Sequence, residues 1–295
     1  MTPKVVRQIA ELREEIAAYR RAHAASAQVG LVPTMGYLHE GHASLIRRSA
    51  EENGLTVLSI FVNPIQFGPN EDFDRYPRDE ERDLKVAAEA GANLVFLPSV
   101  TEMYPDKPRT TVSVSGVTER LCGASRPGHF DGVATVVSKL FHIVQPDRAY
   151  FGLKDAQQVS VIARMTEDLN FPVDIVPCPI VREQDGLALS SRNVYLNPEE
   201  RRQALILSQT LSQVAGWIED GMSEAELTVR IRGRIRSQPL ADIEYVEVAT
   251  YPELGHPPAD RPLRESREPL LVALAVRFGK TRLIDNVLLF PSEVK

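Results

Sequence analysis

Cysteine is nearly missing from this chain. Cys122 and Cys178 are the only two in 295 residues, which makes no disulfide scaffold and fits a reducing compartment. Neither lies at ligand spacing from any of the six histidines, so a structural zinc site is not expected. Long apolar runs are missing too. Stretches such as Leu270–Val276 fall far short of the ~20 residues that a bilayer-spanning helix needs, and no signal-peptide pattern opens the chain. Positive charge is also in short supply: 34 Lys and Arg stand against 40 Asp and Glu, a net charge of -6. No global basic field invites nucleic acid or an anionic membrane, so an anionic ligand needs a local cationic cluster. The Gly-rich P-loop pattern is absent, which excludes a Walker-type NTPase. No Ser-His-Asp or Cys-His arrangement offers a nucleophile. The expected location is the cytoplasm.

What is present describes an ordinary globular chain, 43% hydrophobic and 25% charged, long enough for two domains. Residues 3–24 carry an apolar stripe at Val5, Ile9, Leu12, Ile16 and Tyr19 behind Thr2-Pro3, which predicts a helix. Apolar runs at Val29–Val32, Leu55–Val62, Asn93–Leu97, Arg148–Phe151 and Val173–Val181 read as strands. Helical patterns over 42–53, 79–91, 130–144 and 156–168 alternate with them. Such alternation predicts an α/β fold with a doubly wound, Rossmann-like parallel sheet whose βα loops share one edge. Residues 100–128 read as a loop-rich excursion with a short alternating piece at 111–114. The pattern then changes. Capping boxes at Asn197-Pro198-Glu199-Glu200 and Ser223-Glu224-Ala225-Glu226 open helices to about 220 and 237. Ile243–Val248, Leu270–Phe278 and Thr281–Leu289 alternate as strands, with a tight turn at Gly279-Lys280. The expected division is a Rossmann-like domain over 1–184 and a smaller C-terminal α+β domain over 185–295.

The organising stretch is Gly30-Leu31-Val32-Pro33-Thr34-Met35-Gly36-Tyr37-Leu38-His39-Glu40-Gly41-His42. A strand breaks at Pro33, turns where Gly36 allows close backbone approach, and meets a helix start. In an open parallel sheet that is where amide groups and a positive helix end receive phosphate oxygens. His39 and His42 share one side of the helix start. A helix-capping pair accounts for them equally well.

Four further stretches carry chemistry. In Phe61–Gly68, Asn63 and Gln66 offer donors and acceptors suited to hydroxyl and carboxylate groups, or form a plain Asn-Pro turn. In Phe151–Gln158 a strand ends at Gly152, Lys154 can reach a phosphate, Asp155 is the expected N-cap, and Gln158 shares its face. A surface lysine is the alternative. Ile180–Asn193 sets Ser190, Ser191 and Arg192 on a loop hinged at Gly186, either a phosphate clamp or a linker with capping serines. Arg126, in Arg126-Pro127-Gly128-His129-Phe130, is a phosphate ligand or a surface charge. Four of the five stretches fall at one sheet edge, which predicts a polyanion site with amides for a hydroxylated acid.

In this combination and order the motifs resemble those of the pantothenate synthetases (pantoate–β-alanine ligases), within the His-x-x-His nucleotidyltransferase-like superfamily. The resemblance covers essentially the whole chain. His39-Glu40-Gly41-His42 is similar to the His-Ile-Gly-His signature of class I aminoacyl-tRNA synthetases, and Leu189-Ser190-Ser191-Arg192 stands in for their Lys-Met-Ser-Lys-Ser loop. The resemblance implies ATP-dependent condensation of pantoate with β-alanine through a non-covalent pantoyl adenylate, with AMP and pyrophosphate released. It implies Mg²⁺ with the ATP, and a homodimer. Met35, Gly36, Tyr37, Leu38, His39, Glu40, Gly41 and His42 would cradle ATP. Gly152, Leu153, Lys154, Asp155, Val181, Leu189, Ser190, Ser191 and Arg192 would complete the nucleotide site. Gln66 and Gln158 would hold pantoate, with Asn63 and Arg126 beside them, and Gln66 would also touch β-alanine. His39, His42, Lys154 and Arg192 would stabilise charge on the leaving pyrophosphate. The family's acidic cluster corresponds to Glu81-Arg82-Asp83, which makes Asp83 the candidate metal ligand. Leu189 replaces the family's usual Met, a near volume-conserving exchange. Two readings from other classes stay open: a nucleotidyltransferase acting on a phosphorylated acceptor, and a non-catalytic nucleotide sensor. The former needs more basic groups than Gln66 and Gln158 supply.

Overall fold

A computed structural model describes residues 2–24, 27–69, 71–259 and 261–290. The chain divides into two compact units: Met1–Val114 with Arg126–Leu153 and Val161–Pro179, and Ser115–Ser125 with Lys154–Ser160 and Ile180–Lys295.

Six strands build the first unit: β1 (Lys4–Val6), β2 (Val29–Thr34), β3 (Leu55–Ile60), β4 (Leu94–Phe96), β5 (Arg148–Gly152) and β6 (Asp174–Cys178). Their order is β1-β4-β3-β2-β5-β6, and every pairing is parallel. β3 is buried at each position, as a strand covered on both faces must be. Around the sheet lie α1 (Ile9–His23), α2 (Glu40–Glu52), α3 (Glu80–Ala90) and the single turn α4 (Val100–Met103). The short α5 (Leu121–Ser125) belongs to the second unit, and α6 (His129–Val144) to the first. α7 (Ala156–Asp168) begins in the second unit and continues into the first. Val32, Leu58, Val95 and Tyr150 of the sheet pack with Leu45 and Ile46 of α2 and Ala87 of α3. α6 is buried along most of its length, against α1 and β2. The chain winds outward one way through β2, β3 and β4 and the other way through β5 and β6. The switch therefore falls between β2 and β5, and the crevice at their carboxyl ends is where such sheets bind ligands.

The second unit carries α8 (Pro198–Ala204), α9 (Ile206–Leu211), α10 (Val214–Glu219), α11 (Glu224–Ile235) and an antiparallel sheet. Its strands β7 (Ala241–Thr250), β8 (Leu270–Phe278) and β9 (Thr281–Leu289) lie in that order. Leu207, Trp217, Leu227 and Ile231 close over Val248, Val272, Leu274 and Phe278.

Two local expectations give way. The N-terminal helix begins only at Ile9, because Lys4–Val6 pairs with Leu94–Phe96 at the sheet edge; two adjacent β-branched valines suit that edge. The helix expected from Pro198 to about residue 220 is three pieces. Near its breaks the Ser208 and Ser212 hydroxyls donate to the Leu205 and Gln209 carbonyls, local bonds that bend helices. The alternating residues 111–114 lie in the expected loop-rich stretch, outside any strand, where the Thr135 hydroxyl takes the Val112 amide at 3.0 Å.

Candidate active site

The loop between β2 and α2 is held from below by α3. Asp83 is 2% exposed, and its two oxygens accept the Tyr37 and Leu38 amides at 2.8 and 2.6 Å. Burial pushes its carboxyl above the ordinary range, opposed by those two amides. The neighbouring Arg82 guanidinium stacks over the Tyr37 ring, 4.5 Å from its centroid. Gly36 sits at φ +85, where an added Cβ would lie 2.9 Å from both Asp83 Oδ2 and Ile60 Cγ2. The residue type at 36 is thus dictated twice, by conformation and by space. Asp83 is thereby an anchor for the loop. Among the described residues no group of three or more His, Cys, Asp or Glu is placed to hold a metal ion.

His39 and His42 are a capping box, each side chain receiving a backbone amide of the helix start. His39 Nδ1 accepts the Gly41 N–H at 3.1 Å, and His42 Nδ1 accepts the His39 N–H at 3.2 Å. An Nδ1 that accepts carries no proton, so both rings are neutral Nε2–H tautomers. The two rings are tilted by 34° to each other, with centroids 4.0 Å apart. The capping and ligand readings of this pair are therefore compatible: one nitrogen shapes the helix and the other is a donor.

Gln66 sits in a 3-10 turn, Pro64–Gln66, beyond β3, and is 8% exposed. Its orientation is fixed by Asn63. Asn63 Nδ2 donates to the Gly132 carbonyl at 3.1 Å and to Gln66 Oε1 at 3.0 Å, while Tyr104 donates to Asn63 Oδ1 at 2.9 Å. A backbone carbonyl can only accept, which assigns both side-chain amides in turn. Gln66 Nε2 is left facing Met35, 3.2 Å from its Sδ. Asn63, only 1% exposed, is wholly engaged in setting its neighbour. Gly132 lets α6 approach this turn, since a Cβ there would lie 2.5 Å from Gln66 Cα and 2.6 Å from the Ile65 carbonyl oxygen.

The Arg126 guanidinium is largely engaged within the protein, 17% exposed at the side chain. Its guanidinium forks onto Glu71 at 2.6 and 2.7 Å, and a third nitrogen donates to His129 Nε2 at 2.9 Å. His129 in turn donates from Nδ1 to the Gln66 carbonyl at 2.9 Å. Burial pushes the Glu71 carboxyl up, but the Arg126 pair and the Gly68 amide outweigh it and hold it at about 2. Glu71 and Tyr104 were not singled out by sequence. Their partners are distant in the chain, as with Arg126 and Glu71, 55 residues apart, and no local spacing signals them.

In the first unit the ligand edge of the sheet thus brings together Met35–His42, Asn63 and Gln66, with Gly152 and Leu153 at the end of the adjacent β5. The second unit carries the rest. Lys154 Nζ lies 3.9 Å from Asp155, which is exposed. Gln158 is half-buried on the first turn of α7, where its neighbour Gln157 ties that turn to the Val117 and Arg120 carbonyls at 2.9 and 2.8 Å. Residues 181–189 form a small hairpin, closed by Leu189 N–H to the Val181 carbonyl at 3.1 Å and Glu183 N–H to the Leu187 carbonyl at 2.8 Å. Ser190 caps the following 3-10 turn, Ser191–Tyr195, by accepting the Arg192 amide at 3.2 Å.

A doubly wound parallel sheet with an ordered loop and capped helix at its switch point defines a Rossmann-like α/β protein. The pantoate-beta-alanine ligase family model matches residues 4–288. The chain belongs to the pantoate–beta-alanine ligase family. It is 60% identical over 261 residues to a pantothenate synthetase of Acetivibrio thermocellus, covering 88% of this chain and 91% of that one. The Geobacillus thermodenitrificans pantothenate synthetase is 53% identical over 286 residues, 97% and 96% of the two chains. Among solved structures, the pantothenate synthetase of Thermus thermophilus superposes with a TM-score of 0.87 at 47% identity, covering 98% of this chain and 100% of that one. The Francisella tularensis pantoate-beta-alanine ligase, complexed with beta-gamma ATP and beta-alanine, gives 0.78 at 33% identity with the same coverage.

Proposed function

We infer that this chain condenses pantoate with β-alanine at the expense of ATP, forming pantothenate, AMP and pyrophosphate. The observation that carries this is the complete family match over 4–288, joined to a whole-length structural relative described as complexed with beta-gamma ATP and beta-alanine. A carboxylate is a poor electrophile. Its oxygen first attacks the α-phosphorus; the O–P bond forms and the bond to pyrophosphate breaks. The β-alanine amine then attacks the acyl carbon of this adenylate, AMP departs with the bridging oxygen, and the amine proton goes to solvent. No covalent enzyme intermediate is required, in keeping with the lack of a nucleophilic triad.

For the residues, Met35–His42, Gly152–Asp155, Val181 and Leu189–Arg192 are assigned to ATP. The neutral tautomers make His39 and His42 hydrogen-bond donors to phosphate oxygens, while Lys154 and Arg192 supply the positive charge. Gln66 and Gln158 are assigned to pantoate. With its Oε1 engaged by Asn63, Gln66 presents N–H donors, which suit a carboxylate or hydroxyl oxygen. Asn63 and Arg126 act behind it, on its side chain and main chain. Mg²⁺ is assigned to the substrate as counter-ion of the triphosphate. Asp83 does not fit a direct metal ligand, because both its oxygens are committed to amides. We further assign the protein to the cytoplasm as a homodimer; two buried thiols without a disulfide agree with a reducing compartment.

The test is isotope exchange. Protein with ATP, Mg²⁺ and pantoate, but no β-alanine, is expected to move labelled pyrophosphate into ATP. Adding β-alanine then yields pantothenate and AMP in equal amounts. Exchange that appears only with β-alanine present, or products ADP and phosphate, would replace the adenylate route with another.

A further inference from the structure

Asp285 and Asn286 interrupt the apolar strand β9 with two polar side chains that no step above uses. They are 2% and 5% exposed, and such groups are costly in a core unless each is bonded. Asp285 gives both oxygens to one guanidinium, with Arg182 Nη1 at 2.7 Å and Nη2 at 2.9 Å. Asp285 Oδ1 also accepts the Asn286 amide at 2.8 Å. Arg182 stands at the base of the 181–189 hairpin, bridged to Ala188, and its Nη1 holds the Gly186 carbonyl at 3.2 Å. The strand of the hairpin that returns through Ala188 leads directly into Ser190-Ser191-Arg192. Asn286 serves another segment: its Nδ2 donates to the main-chain carbonyl of Lys154 at 3.0 Å. Adjacent residues of a strand face opposite sides, so one dipeptide on a rigid strand reaches two segments separated in sequence.

We propose that Asp285 and Asn286 are positioning residues for the nucleotide reaction. Asn286 fixes the backbone from which Lys154 projects, and Asp285, through Arg182, fixes the hairpin that ends in Arg192. A lysine is a compact charge on a flexible stem, and its effect at a phosphate depends on where its main chain is held. β9 thereby registers the two cations assigned to the polyphosphate against each other. The proposal rests on the assignment of Lys154 and Arg192 to ATP.

The test compares Asn286→Ala, Asn286→Asp, Lys154→Ala and the double variant Lys154→Ala/Asn286→Ala, by pyrophosphate exchange, ATP and pantoate kinetics, and thermal melting. Asn286→Asp keeps the side-chain size but removes the donor, so it guards against mere misfolding. Both Asn286 variants are expected to lose about 10- to 100-fold in kcat/KM for ATP, the scale of a small misplacement, with pantoate KM nearly unchanged. In the Lys154→Ala background, Asn286→Ala is expected to cost no more than about twofold further, because residues acting through one another are not additive. Arg182→Lys keeps the charge but not the fork, and is expected to raise amide exchange across 182–192 alone. Wild-type ATP kinetics in a folded Asn286→Asp, additive losses in the double variant, or unchanged hairpin exchange in Arg182→Lys overturns the proposal. Full exchange activity in Lys154→Ala instead overturns the assignment of Lys154 on which it rests.

Discussion

Arg126 and Glu71 are a partly buried ion pair, 17% and 25% exposed at the side chain, and their bond is bidentate. The Glu71 carboxyl, held at about 2 against an ordinary 4.5, is depressed on folding. Its contribution to stability is therefore fully present above about 4.5 and is lost as pH falls through about 2. Glu71→Gln is expected to destabilise the protein by about 1–3 kcal/mol at neutral pH, chiefly by leaving Arg126 without its counter-charge. Urea titrations of both proteins check this: the gap between them should narrow from about pH 6 to about pH 3. A gap independent of pH would mean that shape rather than charge is lost. At this scale the sequence was legible only where chemistry is local. The spacing of His39 and His42 announces a helix start, and their capping box follows from it. The commitment of Arg126 to Glu71, or of Asp83 to two amides 45 and 46 residues away, is written only in the fold.

At the scale of elements, regular periodicity was enough for most of the fold. β8 and β9 fall at the expected Leu270–Phe278 and Thr281–Leu289, and α7 at 156–168. What escaped notice is packing between elements that are each correct alone. The Pro64–Gln66 turn is pressed against α6 through Gly132, and the β2–α2 loop against α3 through Gly36. These two glycines make a paired prediction. Gly132→Ala drives a Cβ into the backbone of Ile65 and Gln66, at 2.5 to 2.7 Å, and is expected to raise the KM for pantoate about tenfold or more. Overpacking of this kind also costs about 1–3 kcal/mol of stability. Gly36→Ala strains the loop at positive φ and displaces the Asp83 carboxylate, so its effect is expected in the KM for ATP. Steady-state kinetics with each substrate varied in turn decides the matter. If both variants weakened the same substrate, the assignment of Gln66 to pantoate and of the β2–α2 loop to ATP would fail together.

At the scale of the molecule, the two units do not follow the chain in order: residues 115–125 and 154–160 associate with the C-terminal sheet. Composition and periodicity report which segments are helices or strands but not which body a short segment joins, because that is decided by side chains such as Arg120. Its guanidinium binds Glu247 and the Val248, Leu254 and Gly255 carbonyls, at 2.9 to 3.2 Å. The hairpin of the second unit leads to the last prediction. Its stem is closed by backbone bonds, yet the turn that follows exposes Val194 at 55% and Tyr195 at 41%. A segment with a fixed stem and an exposed tip is suited to ordering by a ligand. Arg192→Ala is expected to slow pyrophosphate exchange about 10²–10³-fold, the scale of one lost electrostatic donor. In the wild-type protein, chymotrypsin cleavage after Tyr195 should slow when ATP is saturating, since a ligand at 100 times its Kd stabilises the bound form by about 2.7 kcal/mol. In Arg192→Ala, at ATP concentrations that saturate the wild type, that protection should disappear. Equal cleavage with and without ATP in the wild type would remove the Ser190-Ser191-Arg192 segment from the nucleotide site and leave its serines as caps alone.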